Sequence, residues 1–187
     1  MTRAMGGPPD AVQTIPRRTV EALFQPEGLR VTEAMRVELL ALGVDVQGLS
    51  ASYPLPAFRQ LLEVARRHAF AQLPEADGFR AVGRRWVAGF KQTPIGWVFR
   101  TMAPVFGTDR TIQTLPRYLS SVREDLPMVV VATGENAYQL SSTDGTANPH
   151  FIAGCLEAVL ETCGQPSFRV AVTAAGPDGF VIELSWT

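Results

Sequence analysis

The apolar positions change period partway along the chain. From residue 17 to about residue 116 they recur every three to four residues, the spacing of one helix face. After Pro127 they alternate or run together in short stretches, as strands do. "RRTVEALF" predicts a short helix stopped by "QPEG". "VTEAMRVELLALG" predicts a second, capped by Thr32, with Met35, Leu39, Leu40 and Leu42 facing inward and Gly43 as its left-handed stop. "YPLPAFRQLLEVARRHAF" predicts a third, with Phe58, Leu61, Leu62, Ala65 and Ala69 on one stripe. A fourth runs over 74–92 with Phe79, Val82, Trp86, Val87 and Phe90 inward. Thr93 caps a fifth, with Pro94 at its first position, where a missing N–H costs nothing, and it runs to about Val105. "FGTDRTIQTLP" predicts a turn and a short helix ended by Pro116.

"PMVVVAT" and "AYQLSS" predict a hairpin turned at "GEN". Asn148 and Pro149 open a helix that Gly164 and Pro166 close. "SFRVAVTA" and "FVIELSW" put Phe168, Val170, Val172 and Phe180, Ile182, Leu184, Trp186 on one side each. The order is a helical N-terminal two-thirds followed by strand-strand-helix-strand-strand. Helices then antiparallel strands mean an α+β fold. The predicted organisation is a disordered tail over 1–15, rich in Gly and Pro, and a single α+β domain over 16–187.

Length and composition narrow the function. A chain of 187 residues with 46% hydrophobic and 19% charged residues can bury a core without a disulfide or a metal. A formal net charge of −1 gives no field that gathers nucleic acid or an anionic membrane. No apolar run reaches the ~20 residues of a spanning helix. The N-terminus lacks an apolar stretch of ~7–15 residues, so the expected location is cytoplasmic, with both cysteines reduced. The cations are arginines except Lys91.

"HFIAGCLEAVLETCG" holds both cysteines and one of the two histidines. Ile152, Cys155, Leu156, Val159 and Cys163 share a helical stripe, expected to pack on the sheet. Cys155 and Cys163 lie about 12 Å apart along the axis, too far for a disulfide or one shared zinc ion. They read as core thiols, and no metal site is expected. His68 sits at a stripe edge and reads as a surface or hydrogen-bonded residue. Arg84, Arg85 and Lys91 form a cluster that could hold an anion or simply be a solvated face. Gly83, Gly89 and Gly96 are spread along helices and read as close helix contacts. The chain contains no G-x-S-x-G, H-E-x-x-H or C-x-x-C, which leans against an enzyme.

"VEALF", "LLALGVDV", "YPLPAFRQLLEVAR", "GFRAVGRRWVAGFKQTPIGWVF", "FGTDRTIQTLP" and "FIAGCLEAVLETCG" together resemble a myxobacterial domain of unknown function, over Thr19 to Trp186. The phrase from Gly83 to Phe90 is the most specific. Where that family carries Arg-Thr-Gly-Asn-Asn, this chain reads "YLSSVREDLP". The element order also resembles the heme nitric-oxide/oxygen-binding fold and the four-vinyl-reductase domain. In the heme sensors, the resemblance implies a histidine on the helix before the first hairpin and a Tyr-x-Ser-x-Arg motif. Here "GTDRTIQTLPRYLSSVRED" has no histidine, and Arg123 falls one residue too far beyond Tyr118 and Ser120. No cofactor is therefore expected.

These readings converge on a non-catalytic small-molecule-binding or sensory domain. The expected site is the break at Pro94, with Trp86, Phe90 and Trp97 as apolar wall and Arg85, Arg110 and Arg123 as anion clamp. The same aromatic residues can equally be core. The alternative function is a protein–protein interaction module, its partner another protein or a second copy in a homodimer.

Overall fold

The computed structural model describes residues 13–122 and 126–187, without the side chains of 118–122. Arg123 lies outside the described residues, and so does most of the expected tail. The end of that tail is a correction: Thr14–Pro16 is a strand, β1, paired antiparallel with β2, Ser52–Pro54. Ile15, placed in the tail by its Gly/Pro-rich neighbours, faces Tyr53 and is buried.

The helices follow in the predicted order: α1, Arg17–Glu21, with a 3-10 turn over Ala22–Phe24; α2, Glu33–Ala41; α3, Leu55–Ala69; α4, Glu75–Phe90; α5, Pro94–Phe106; and α6, Thr108–Val122. The caps are the residues the sequence supplies. Thr32 Oγ1 accepts from Met35 N at 3.3 Å, and Thr93 Oγ1 accepts from Gly96 N at 3.1 Å. Gly43 takes a φ of +77°, and Val44 N donates back to the Leu39 carbonyl, closing α2.

Two expectations fail. Leu40 points to solvent, because α2 packs through the narrower stripe of Met35 and Leu39. Pro116 does not end its helix. α6 continues to Val122 through it, with Ile112 and Leu115 anchored in the core before the proline. Packing outweighs the local cost of a missing N–H there.

The C-terminal third is an antiparallel sheet of β3, Met128–Gly134; β4, Ala137–Ser142; β5, Phe168–Gly176; and β6, Gly179–Trp186, in spatial order β3-β4-β6-β5. Leu140 pairs with Ile182 and Tyr138 with Leu184, so the apolar residues of β4 and β6 share one face. Helix α7, Pro149–Thr162, covers that face. Asn148 Oδ1 caps it, accepting from His150 N and Phe151 N at 3.0 Å each.

Two hydrophobic cores result. One lies among the N-terminal helices, the other between α6, α7 and the sheet. Helix α7 is their common wall: Ile152, Leu156, Val159 and Leu160 face the sheet, while Ala158 and Cys155 face the helical core. Phe151 packs against both. Cys155 is thus a correction too. It shares the stripe on a helical wheel but sits at the edge turned to α4, where its thiol donates to the Gly83 carbonyl at 3.5 Å.

Candidate functional site

Helices α4 and α7 approach backbone to backbone at two glycines. A Cβ on Gly83 would strike the Phe151 carbonyl, and one on Gly154 the Arg80 carbonyl. Gly89 lies in the same way against the Ala22 carbonyl. Beside this crossing, Arg80 donates to Glu157 and to the Val170 carbonyl at 3.2 Å. Arg84 donates to Glu161 at 2.6 Å and to Glu157 at 3.4 Å. Lys91 Nζ donates to Thr162 Oγ1 at 3.4 Å. Arg84 and Lys91 are therefore engaged with α7 rather than gathered around a free anion site, the less favoured of the two readings of that cluster. Arg85, the third member, is exposed.

Of the residues expected at the break, Trp86 and Phe90 are brought together, while Trp97, Arg85 and Arg110 lie on the surface. Trp86 is only 8% exposed, and its Nε1 donates to the Thr19 carbonyl at 2.7 Å. It is a core residue with its polar atom satisfied. Phe90 stacks on it at 5.5 Å and meets Phe99 at 6.1 Å. Phe151 joins the same row from α7, 6.3 Å from Trp86. Trp97 is 56% exposed on α5. The guanidinium of Arg110 lies over the Phe106 ring, 5.2 Å from its centroid. A shallow depression of about 400 Å³ does open on the protein, but on the outer face of the sheet, lined by residues such as Val129, Ser141, Ala174 and Val181.

Helix α5 is the unusual element. Its b-type positions Gly96 and Ala103 are buried. The adjoining stripe is not: Ile95 is 62% exposed, Val98 53%, Val105 74% and Phe106 48%. With the half-buried Met102, the residues Ile95, Val98, Met102 and Val105 follow the i, i+3, i+7, i+10 spacing of a coiled-coil seam. The same spacing is present in the sequence "IGWVFRTMAPVF", where the aromatic residues around Pro94 equally suit a pocket wall. No described element covers the stripe.

The titratable groups are mostly structural. His68 Nε2 donates to Glu38 at 2.8 Å, with Arg67 on the other carboxylate oxygen at 2.6 Å. Those hydrogen bonds, His68 first, hold the Glu38 carboxyl below its usual range. Burial, with Arg80 next, pulls the His150 imidazole below its ordinary value, and its Nδ1 is buried without a partner among the described residues. Burial pushes both thiols up, Cys155 most strongly. Among the described residues, no three metal-ligating side chains gather. No described helix is long and apolar enough to cross a membrane.

The family described as "Protein of unknown function (DUF2378)" matches residues 13–187. No curated protein matches the chain in sequence. Solved H-NOX proteins match it in fold. An oxygen-binding H-NOX domain related to soluble guanylate cyclases, in its oxygen complex, superposes with a TM-score of 0.64 at 8% identity, over 91% of this chain and 92% of that one. A mutant Fe(II) unliganded H-NOX protein from K. algicida gives 0.63 at 13%, over 92% and 96%. An H-NOX protein from S. oneidensis in the Fe(II)NO state gives 0.57 at 13%, over 82% and 89%. At such identities the likeness is one of fold.

A histidine-held heme does not fit this chain. α6, the helix before the first hairpin, reads TDRTIQTLPRYLSSV and offers no imidazole. Its Ile112 and Leu115 fill the sheet core instead. The two histidines are on α3, bound to Glu38, and at the start of α7.

Proposed function

We propose a function for this chain from the premise that it belongs to the "Protein of unknown function (DUF2378)" family: it is a non-catalytic sensory domain with the H-NOX fold but no histidine-bound heme, and it acts by protein contact through α5. The observation that carries this reading is the seam of Ile95, Val98 and Val105 open to solvent, with the half-buried Met102 between them. Single exposed apolar residues are ordinary, but a contiguous stripe marks an interaction surface. The non-catalytic part is supported by thiols that burial shifts upward, away from the reactive thiolate, and by arginines already paired to glutamates. The setting we assign is the cytoplasm, with a protein partner and no nucleic acid, in keeping with the net charge of −1.

A second reading keeps a small acidic or aromatic ligand at the α4–α5 break. It is supported by the aromatic row Phe151, Trp86, Phe90 and Phe99, which runs from the core to α5. Trp97, Arg85 and Arg110 are the exposed groups such a ligand would meet. Arg123, the remaining arginine of that proposal, lies outside the described residues.

Native mass spectrometry of the full chain purified from its own host separates the two. An assembly larger than the 20.3 kDa chain with no retained small mass supports protein contact. A monomer carrying a small organic mass, lost in Trp97→Ala, supports the ligand and sinks the α5 reading.

A further inference from the structure

We infer that α5 pairs with α5 of a second copy of this chain, making a two-fold symmetric dimer. The inference rests on the reading of α5 as the contact surface and names its occupant. With Ile95 and Met102 as a positions and Val98 and Val105 as d positions, the e positions are Phe99 and Phe106, and the g positions Pro94 and Thr101. None carries a charge. The single charged residue of α5, Arg100, is at f, on the side of the helix away from the seam.

That absence of charge lets identical copies meet. Helices that select a different chain do so through opposite charges at e and g, and like charges there keep identical chains apart. This seam has neither attraction for a charged partner nor repulsion against its own copy. Antiparallel about a two-fold axis, Ile95 of one copy lies toward Phe106 of the other, and Val98 and Met102 straddle the axis. A self-complementary patch of this kind closes a dimer and leaves no free seam to propagate.

The area is sufficient. Residues half to three-quarters exposed give the stripe roughly 400 Å² of apolar surface, as large as a monomer usually keeps in one patch. Two copies bury roughly twice that from the seam alone. The flanking Pro94 and Thr101 raise the total toward the ~1,000 Å² of a specific interface. Gly96 and Ala103 are buried on the inner side, so α5 stays seated on its own domain when the seam is covered.

Sedimentation equilibrium of the full chain at about 100 µM, well above a micromolar Kd, tests the proposal. The expected result is twice the 20.3 kDa chain mass, little weakened by added salt, since no position a, d, e or g of α5 is charged. Val98→Glu with Met102→Glu should weaken the dimer at least roughly tenfold, as buried like charges do at such seams. Far-UV circular dichroism spectra should keep the wild-type shape, because Val98 is already half exposed, while the melt falls by no more than loss of the dimer and of the half-buried Met102 side chain accounts for. Val105→Glu, at the most exposed seam position, should act in the same direction. Val131→Glu, on the exposed side of β3, should leave the dimer intact. A monomeric wild type, or a dimer indifferent to the Val98/Met102 pair, overturns the proposal. If the isolated wild type is monomeric but the host-purified assembly still shrinks with that pair, the second copy is wrong and the contact reading stands. If the host assembly ignores the pair, both fail.

Discussion

Gly83 of α4 and Gly154 of α7 lie at the same helix crossing, each filling the space where the other helix's backbone passes. A methyl group on either side has nowhere to go, because the atoms it meets are main-chain carbonyls. Gly83→Ala and Gly154→Ala should each lower stability by about 2–3 kcal/mol, although alanine favours a helix by about 1 kcal/mol. The double variant should cost less than the sum, because once the helices part the second methyl is accommodated. Urea midpoints of the four proteins measure this. Additive losses would mean that the two sites do not share one contact.

The thiols give a second expectation. Burial holds Cys155 protonated at neutral pH, and burial raises Cys163 against the hydrogen bonds of Thr111 and Thr108. Since the thiolate is the reactive form, Cys155 should alkylate far more slowly than a free thiol in the native protein, Cys163 less markedly so, and both at the ordinary rate in urea. Chelators should change neither rate nor stability. Rapid native labelling of Cys155 would contradict its place against Gly83.

Stability should also depend on His150. Its folded pKa lies below the ordinary value, chiefly through burial, with Arg80 adding and Asp77 and Glu75 opposing. The unfolded chain therefore takes up a proton below about pH 6.5 that the folded chain resists. The stabilisation is intact above that pH and is lost as the pH falls through it. Urea midpoints at about pH 7.5 and 5.5 should show this loss, and His150→Gln should reduce it. An unchanged pH slope in the variant would assign the loss to other groups.

Hemin should give no sharp Soret band at stoichiometric protein. A tight one-to-one complex that His68→Ala or His150→Ala abolishes would restore the heme-sensor reading.

Trp86 and Trp97 should behave oppositely. Trp86→Ala removes a buried ring and strands the Thr19 carbonyl, and should cost about 3–5 kcal/mol. Trp97→Ala, more than half exposed, should cost under about 1 kcal/mol. A large loss at Trp97 would mean that the ring is covered in the native protein.

The fold was largely legible because its signals are local. Thr32, Thr93 and Asn148 cap the helices they precede, and the alternation in β6 puts Phe180, Ile182, Leu184 and Trp186 inside. Pro116 misled because a proline's local cost says nothing of Ile112 and Leu115 packing just before it. The candidate site was harder. A heptad on α5 declares an apolar face, but only the assembled chain shows that none of its own described elements meets it. Trp86 illustrates the converse: its spacing suited a pocket wall or a core equally, and the partner that decides, the Thr19 carbonyl, lies 67 positions away.

The wall formed by α7 has a consequence for synthesis. Cys155 meets the Gly83 carbonyl across 72 positions of chain. By the time the ribosome nears residue 148, α4 has emerged with its glycine track bare. The N-terminal core then lacks the Phe151, Cys155 and Ala158 that finish it. The helical part must wait, part-assembled and exposing apolar surface, until its last wall arrives from the other end of the chain. A nascent chain arrested before residue 149 should accordingly be cut readily by protease along α4, and one released after Trp186 should resist.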